Sequence, residues 1–365
     1  MSAISEEDLN RKRFECDPLA DNAMEEVARV RGEKAIKGHY VLRAVQDLGR
    51  LSGDSHCARF IEFYEQEPPW EVDWQMWELG RRVFVRNSVF AGLVLMYGSL
   101  VSSFTAAYGN KVLSATGRIS PNGDVRQRLF ETLFFVRAVV LGSSSEIKEA
   151  CMRVRLLHAA VRRHLLHRDG GWEIENFGCP INQEDLAGTL STFSSVVVDG
   201  LEILGVSLSK TEKDAYQTLW KYVGFYLGMT SDLLCDNYEE EWKLCNMIRV
   251  RQCKPDPDSV VLTEALLQEF ASKNPFYLSY NFSSSLSRHF IGDDLADELG
   301  LSGFNMLSQV IMNLLYWILR TSCFTQRRVS FLEHGLYKFG KYALNTIVHL
   351  SLGGREPSFI MKVYS

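Results

Sequence analysis

The segment CMRVRLLHAAVRRHLLH, residues 151–167, carries three of the chain's eight histidines, His158, His164 and His167. At about 100° per residue on a helix, His158 shares its side with Cys151, Val154, Val161 and Leu165. His167 points to the opposite side and His164 lies off that stripe, so His158 is the histidine expected to be buried. An imidazole on an apolar stripe is either a hydrogen-bonded core residue or a metal ligand, because a neutral ring nitrogen in a dry site keeps a lone pair for a cation. Arg155 and Arg162 flank the same face, and guanidinium groups beside a buried surface require anionic partners.

A second constellation is RQRLFETLFFVR, residues 126–137, set within an otherwise apolar helical pattern. Arg128, Glu131, Thr132, Phe135 and Val139 fall on one face, an arrangement that could roof a pocket with an arginine, a carboxylate and a hydroxyl. The plainer account is an Arg128–Glu131 pair within the helix, with Thr132 bonding back to a carbonyl. A third stretch, residues 170–194, is architectural: Asn182 is a natural N-cap, with Asp185 three residues on in the capping-box position. The chain lacks G-x-S-x-G, H-E-x-x-H and G-x-G-x-x-G, and none of its eight cysteines forms a C-x-x-C pair or a C-x-x-C-H haem-attachment site.

The elements that must position these residues are helical. Apolar residues recur at three- and four-residue spacing near 22–36, 40–52, 55–65, 71–86, 88–107, 124–142, 145–168, 183–203, 210–230, 237–251, 260–272, 303–321 and 326–350. Breaks are expected at Pro68-Pro69, Gly117–Gly123, His167–Pro180, Lys254–Pro257 and Gly353-Gly354. None is long enough to be an interdomain linker. The expected organisation is a flexible tail over 1–20 and a single large all-α domain over 21–365, with the motif-bearing core at about 75–255.

Hydrophobic residues make up 46% of the 365, enough for a large core, and the net charge of −5 excludes the basic footprint of a nucleic-acid binder. The polar N-terminus has no apolar leader, so the expected address is the cytosol and a disulfide framework is not expected. Two uncharged stretches, 87–110 and 299–319, have the length of a membrane span. Their glycine, hydroxyl and amide content instead suits helices buried in a large helical protein, with peripheral membrane contact left open and the oligomeric state undetermined.

Five motifs in order, KVLSATGR, RLFETLFFV, VRLLHAAVR, PINQEDLAGT and YQTLWKYVGFYLG, span 111–228. In this succession the chain resembles the latex clearing protein (rubber oxygenase) superfamily, which includes the fungal oxygenase of mycophenolic acid biosynthesis. The resemblance implies a globin-like helical core enclosing haem b, with His158 as the axial iron ligand. Propionates would suit Arg155 and Arg162, and Phe134 and Phe135 would line the pocket. It places Arg128 and Thr132 over the iron, and Glu131 where the rubber-cleaving members carry lysine. The implied reaction is O2-dependent cleavage of a double bond in an apolar, isoprenoid or lipid-like substrate. The alternatives are another haem-dependent oxidation, or a non-catalytic haem-binding protein.

Overall fold

The computed structural model describes residues 4–36, 40–116, 125–168, 170–273, 277–303, 305–326 and 330–351. The breaks expected at Gly117–Gly123 and Gly353-Gly354 lie outside these residues.

Among the described residues the chain is all α, with one isolated bridge between Ala106 and Cys253. The first third contains α1 (Glu6–Lys12), α2 (Pro18–Arg31), α3 (Val41–Leu51), α4 (His56–Glu65), α5 (Trp74–Arg86) and α6 (Ser88–Leu93). A π-helical turn, Val94–Ser99, leads into α7 (Leu100–Ser103) and α8 (Ala107–Thr116). The middle comprises α9 (Val125–Leu141), α10 (Ser144–His167), α11 (Ile174–Phe177), α12 (Gln183–Phe193), α13 (Ser195–Ile203) and α14 (Lys210–Tyr226). The last third holds α15 (Tyr238–Gln252), α16 (Pro257–Phe270), α17 (Tyr280–Ile291), α18 (Asp293–Glu298), α19 (Met306–Gln326) and α20 (Ser330–Ser351).

Local chemistry explains many of the starts. Reciprocal capping boxes open α1 (Ser5/Asp8), α10 (Ser143/Glu146), α12 (Asn182/Asp185), α14 (Ser209/Glu212) and α16 (Asp256/Ser259), each satisfying two backbone donors that a helix start leaves orphaned. The single helix expected over 183–203 breaks at Ser194, whose φ −107° and ψ −94° lie outside the helical well. α17 has no counterpart in the sequence reading because its serine-rich run looks like a loop. Ser283, Ser284, Ser285 and Ser287 are buried there, and short side chains let α17 approach the π-helical turn until Gly98 meets the Phe290 ring.

Three expectations are corrected. Residues 4–20 do not form a loose tail: α1 buries Leu9 completely, Asp17 caps α2 with its side chain buried, and Cys16 is disulfide-bonded to Cys179 with Cα atoms 6.0 Å apart. That bond is also an exception to the expected absence of disulfides; partners 163 residues apart leave no spacing signal. The 299–319 stretch is only half interior. Ser308, Met312, Leu319 and Cys323 of α19 face the protein, while its other side is open. No single described helix is long and apolar enough to cross a membrane; α5 with Ser88–Ser103 passes that test together but is bent by 79°.

α5 and α14 form the tightest pair of the core. Gly80 makes it possible, since a Cβ there would lie 2.2 Å from the Ala215 carbonyl. α10 packs against α2, α9 and α14, which fixes the direction in which His158 points.

Candidate functional site

A cavity of about 540 Å³ lies between α6–α8, the π-helical turn, α9, α10, α12, α13, α15 and α20. This is within the usual range for a site that encloses a small organic ligand. Its walls are mostly apolar, with Leu95, Leu133, Val136, Leu157, Val161 and Phe290 among them. The lining residues Thr189, Ile203, Trp242 and Arg249 are also solvent-exposed, so the cavity reaches the surface between α12, α13 and α15. At that mouth Asp199 accepts hydrogen bonds from Trp242 Nε1 (3.1 Å) and from the Tyr238 hydroxyl.

His158 projects from the middle of α10 into this space. Its side chain is partly buried, lines the cavity, and makes no hydrogen bond to a described residue. Burial, with the positive charges of Arg162 and Arg128, pushes its pKa down to about 3, against a smaller opposing pull from Asp17. The imidazole is therefore neutral at ordinary pH and offers a nitrogen lone pair to the cavity. A core histidine would bond a neighbour, and this one does not.

α9 forms the wall that carries Arg128 and Thr132. Arg128 Nη1 donates to Thr132 Oγ1 (3.0 Å), and the threonine hydroxyl donates back to the Arg128 carbonyl (3.1 Å). Arg128, Leu129, Phe130, Thr132, Leu133 and Val136 set the cavity face. At about 100° per residue that arc is centred roughly 100° away from the stripe expected in the sequence. The rotation turns two candidates out of the site. Glu131 does not line the cavity and accepts a hydrogen bond from Gln127 Nε2 (3.3 Å), while Phe135 is packed in the core. Phe134 is likewise not at the wall, where Phe130 and Phe290 take its place.

Arg155 and Arg162 are buried, yet neither lines the cavity. The anions they require come from the N-terminal segment. Arg155 clasps Asp17 through Nε (2.6 Å) and Nη2 (2.8 Å), whereas Arg162 donates to Asp21 Oδ1 (2.8 Å) and to the Ile181 carbonyl (3.2 Å). Burial pushes the Asp17 carboxyl up, but the bond and charge of Arg155, together with Arg162, hold it below the usual carboxylate range. The fit around Arg155 is close enough to require glycine at 228, at φ +83°, where a Cβ would lie 2.5 Å from Arg155 Nε. These residues brace the histidine helix from behind, which corrects the expectation that they face a ligand.

Two parts of the site were not legible as functional. Asp185, the capping residue of α12, also lines the cavity; burial and the neighbouring Glu184 raise its carboxyl to about 7. Its Oδ2 accepts from the Asn182 side chain (2.9 Å) and its Oδ1 from Gln252 Nε2 (3.4 Å). The π-helical turn is the other, and such turns often border functional sites; Gly98 within it was its faint sequence signal.

Residues 74–321 match the family described as ER-bound oxygenase mpaB/B'/Rubber oxygenase, catalytic domain. The chain is 24% identical over 275 residues to the rubber oxygenase of Streptomyces sp. (strain K30), an alignment covering 72% of this chain. It spans 64% of the length of that relative. Among solved structures, latex clearing protein LCP in the closed state has the same fold, with a TM-score of 0.69 at 19% identity, covering 92% of this chain and 91% of that one.

Proposed function

Because the chain belongs to the ER-bound oxygenase mpaB/B'/rubber oxygenase family, we propose that it is a haem b-dependent oxygenase that cleaves a carbon–carbon double bond in an apolar substrate. The donor set suits that cofactor. No cluster of histidine, cysteine, aspartate or glutamate among the described residues could hold a bare metal ion. An iron in this cavity would need a carrier that brings its own ligands, and one neutral imidazole would hold it to the protein. His158 is the residue to supply it, and this single unbonded imidazole at an apolar cavity carries the proposal.

When bound, haem supplies the activation of O2. Arg128, held by Thr132, contributes a fixed positive charge and hydrogen-bond donors in a wall that otherwise has low polarity, where such groups act most strongly. Leu133, Val136, Leu157 and Val161 exclude water and hold the double bond in place. Asp185 keeps a proton on its carboxyl to near-neutral pH and so offers a proton donor rather than a second charge. Overall, one C=C and one O2 become two carbonyl groups, an aldehyde and a ketone where one carbon is trisubstituted. Both oxygen atoms are retained and no reductant is consumed.

The test is the visible spectrum of the purified protein beside His158→Ala. A Soret band in the wild type that is lost or displaced in the variant is expected; an identical band in both would overturn ligation by His158. Turnover under oxygen-18 should label both carbonyls. Unlabelled product would refute the oxygenase reaction and favour a dehydrogenating or peroxide-dependent one.

A further inference from the structure

The outer side of α19 is apolar and uncovered. Met306, Leu307, Val310, Ile311, Leu314, Trp317 and Ile318 are between 42% and 75% exposed. At about 100° per residue they fill one continuous arc of roughly 140°, opposite the buried Ser308, Met312 and Leu319. Gln309, Asn313 and Arg320 border one edge of that arc. The helix is about 31 Å long at about 1.5 Å per residue, so the stripe extends well beyond the scattered apolar residues of an ordinary soluble surface. α20 adds exposed Phe339 (60%) and Tyr342 (70%).

Charge selects the occupant. The chain carries −5 overall, yet its 306–351 segment holds five arginines and lysines against one acid, Glu333. That acid is already engaged by Arg82 and Arg86. An apolar stripe with a tryptophan, edged by Arg320 and followed by the exposed Lys338 and Lys341 of α20, has the chemistry of a helix lying in the interface of an anionic bilayer. A second copy of the chain fits less well, because a two-fold contact would bring the same cationic surface against itself. Crossing the bilayer is not open to α19, whose other side is buried against the protein.

Ile203, at the mouth of the cavity, lies two residues before Gly205, whose backbone is pressed against the inner side of α19 at Tyr316; a Cβ at Gly205 would meet the Tyr316 carbonyl at 2.3 Å. We infer that α19 is a monotopic docking face that seats the protein on an anionic lipid surface. The docking holds whatever chemistry occurs in the cavity.

The experiment is flotation of the full chain with phosphatidylcholine vesicles, with and without phosphatidylserine, using wild type and the double variant Leu314→Gln/Trp317→Gln. Both substitutions are on the exposed side, and an unchanged thermal melt verifies the fold. Wild type should float with the phosphatidylserine vesicles and be released in part by added salt. The variant should bind about tenfold more weakly or less, from the apolar area withdrawn from the interface. Wild type that stays with the buffer fraction, or a variant that floats equally well, would overturn the proposal. So would sedimentation showing a wild-type dimer that the double variant dissociates, because the stripe would then be a protein interface.

Discussion

Asp17→Asn should destabilise the protein far more than a substitution seventeen residues from the N-terminus would ordinarily do. The carboxylate accepts two bonds from Arg155, at 2.6 and 2.8 Å, and has Arg162 Nη2 at 3.9 Å; all three side chains are at most 5% exposed. An amide cannot neutralise either cation, so two buried guanidiniums would lose their shared charge partner, a loss of about 3–5 kcal/mol. With an unfolding entropy of about 2.1 cal/mol/K per residue, this corresponds to a melting temperature lower by about 4–6 °C for a chain of this length. Differential scanning calorimetry at neutral pH measures it. The double variant Asp17→Asn/Arg155→Met should recover part of the loss, because the larger cost lies in the stranded charge. The pair also has a pH sign: Asp17 is held below its usual value in the fold, so its contribution is full above that value and fades as pH falls through the lower, folded one. A decrease of less than about 1 °C in the single variant would refute the view that the N-terminal segment clamps the histidine helix.

Three further outcomes follow from the cavity wall. Thr132→Val removes the hydroxyl that holds Arg128, and oxygen consumption with substrate should fall at least about tenfold while haem content is retained. Glu131→Gln, a position turned out of the cavity, should leave turnover within about twofold; a larger loss in the same assay would mean that the carboxylate reaches the reaction after all. Asp185 is raised to about 7, so its ionisation opposes folding as pH rises from its ordinary 3.8 toward that value. Asp185→Asn should therefore gain stability relative to wild type across that window and show a constant difference above it, as read by denaturant titrations at several pH values.

Much of the fold was open to reading without coordinates. Helical periodicity, capping boxes and the stripe that carries His158 depend only on backbone geometry over a few residues, so the type of most elements and the inward side of α10 follow from local order. Loss of that locality explains each miss. Asp17 and Asp21 stand 138 and 141 residues from the arginines they neutralise, and no spacing rule links them. The rotation of α9 was set by the helices packed on both sides of it, which moved Glu131 and Phe135 away from the cavity and brought Leu133 and Val136 to it. Asp185 was recognisable as a cap, but its raised pKa depends on how completely the surrounding helices bury it. The hydropathy of α19 was plain in its residues; only the packed structure decided that one side would be buried and the other left open. Sequence specified which faces are apolar, and tertiary packing determined which of them found a partner.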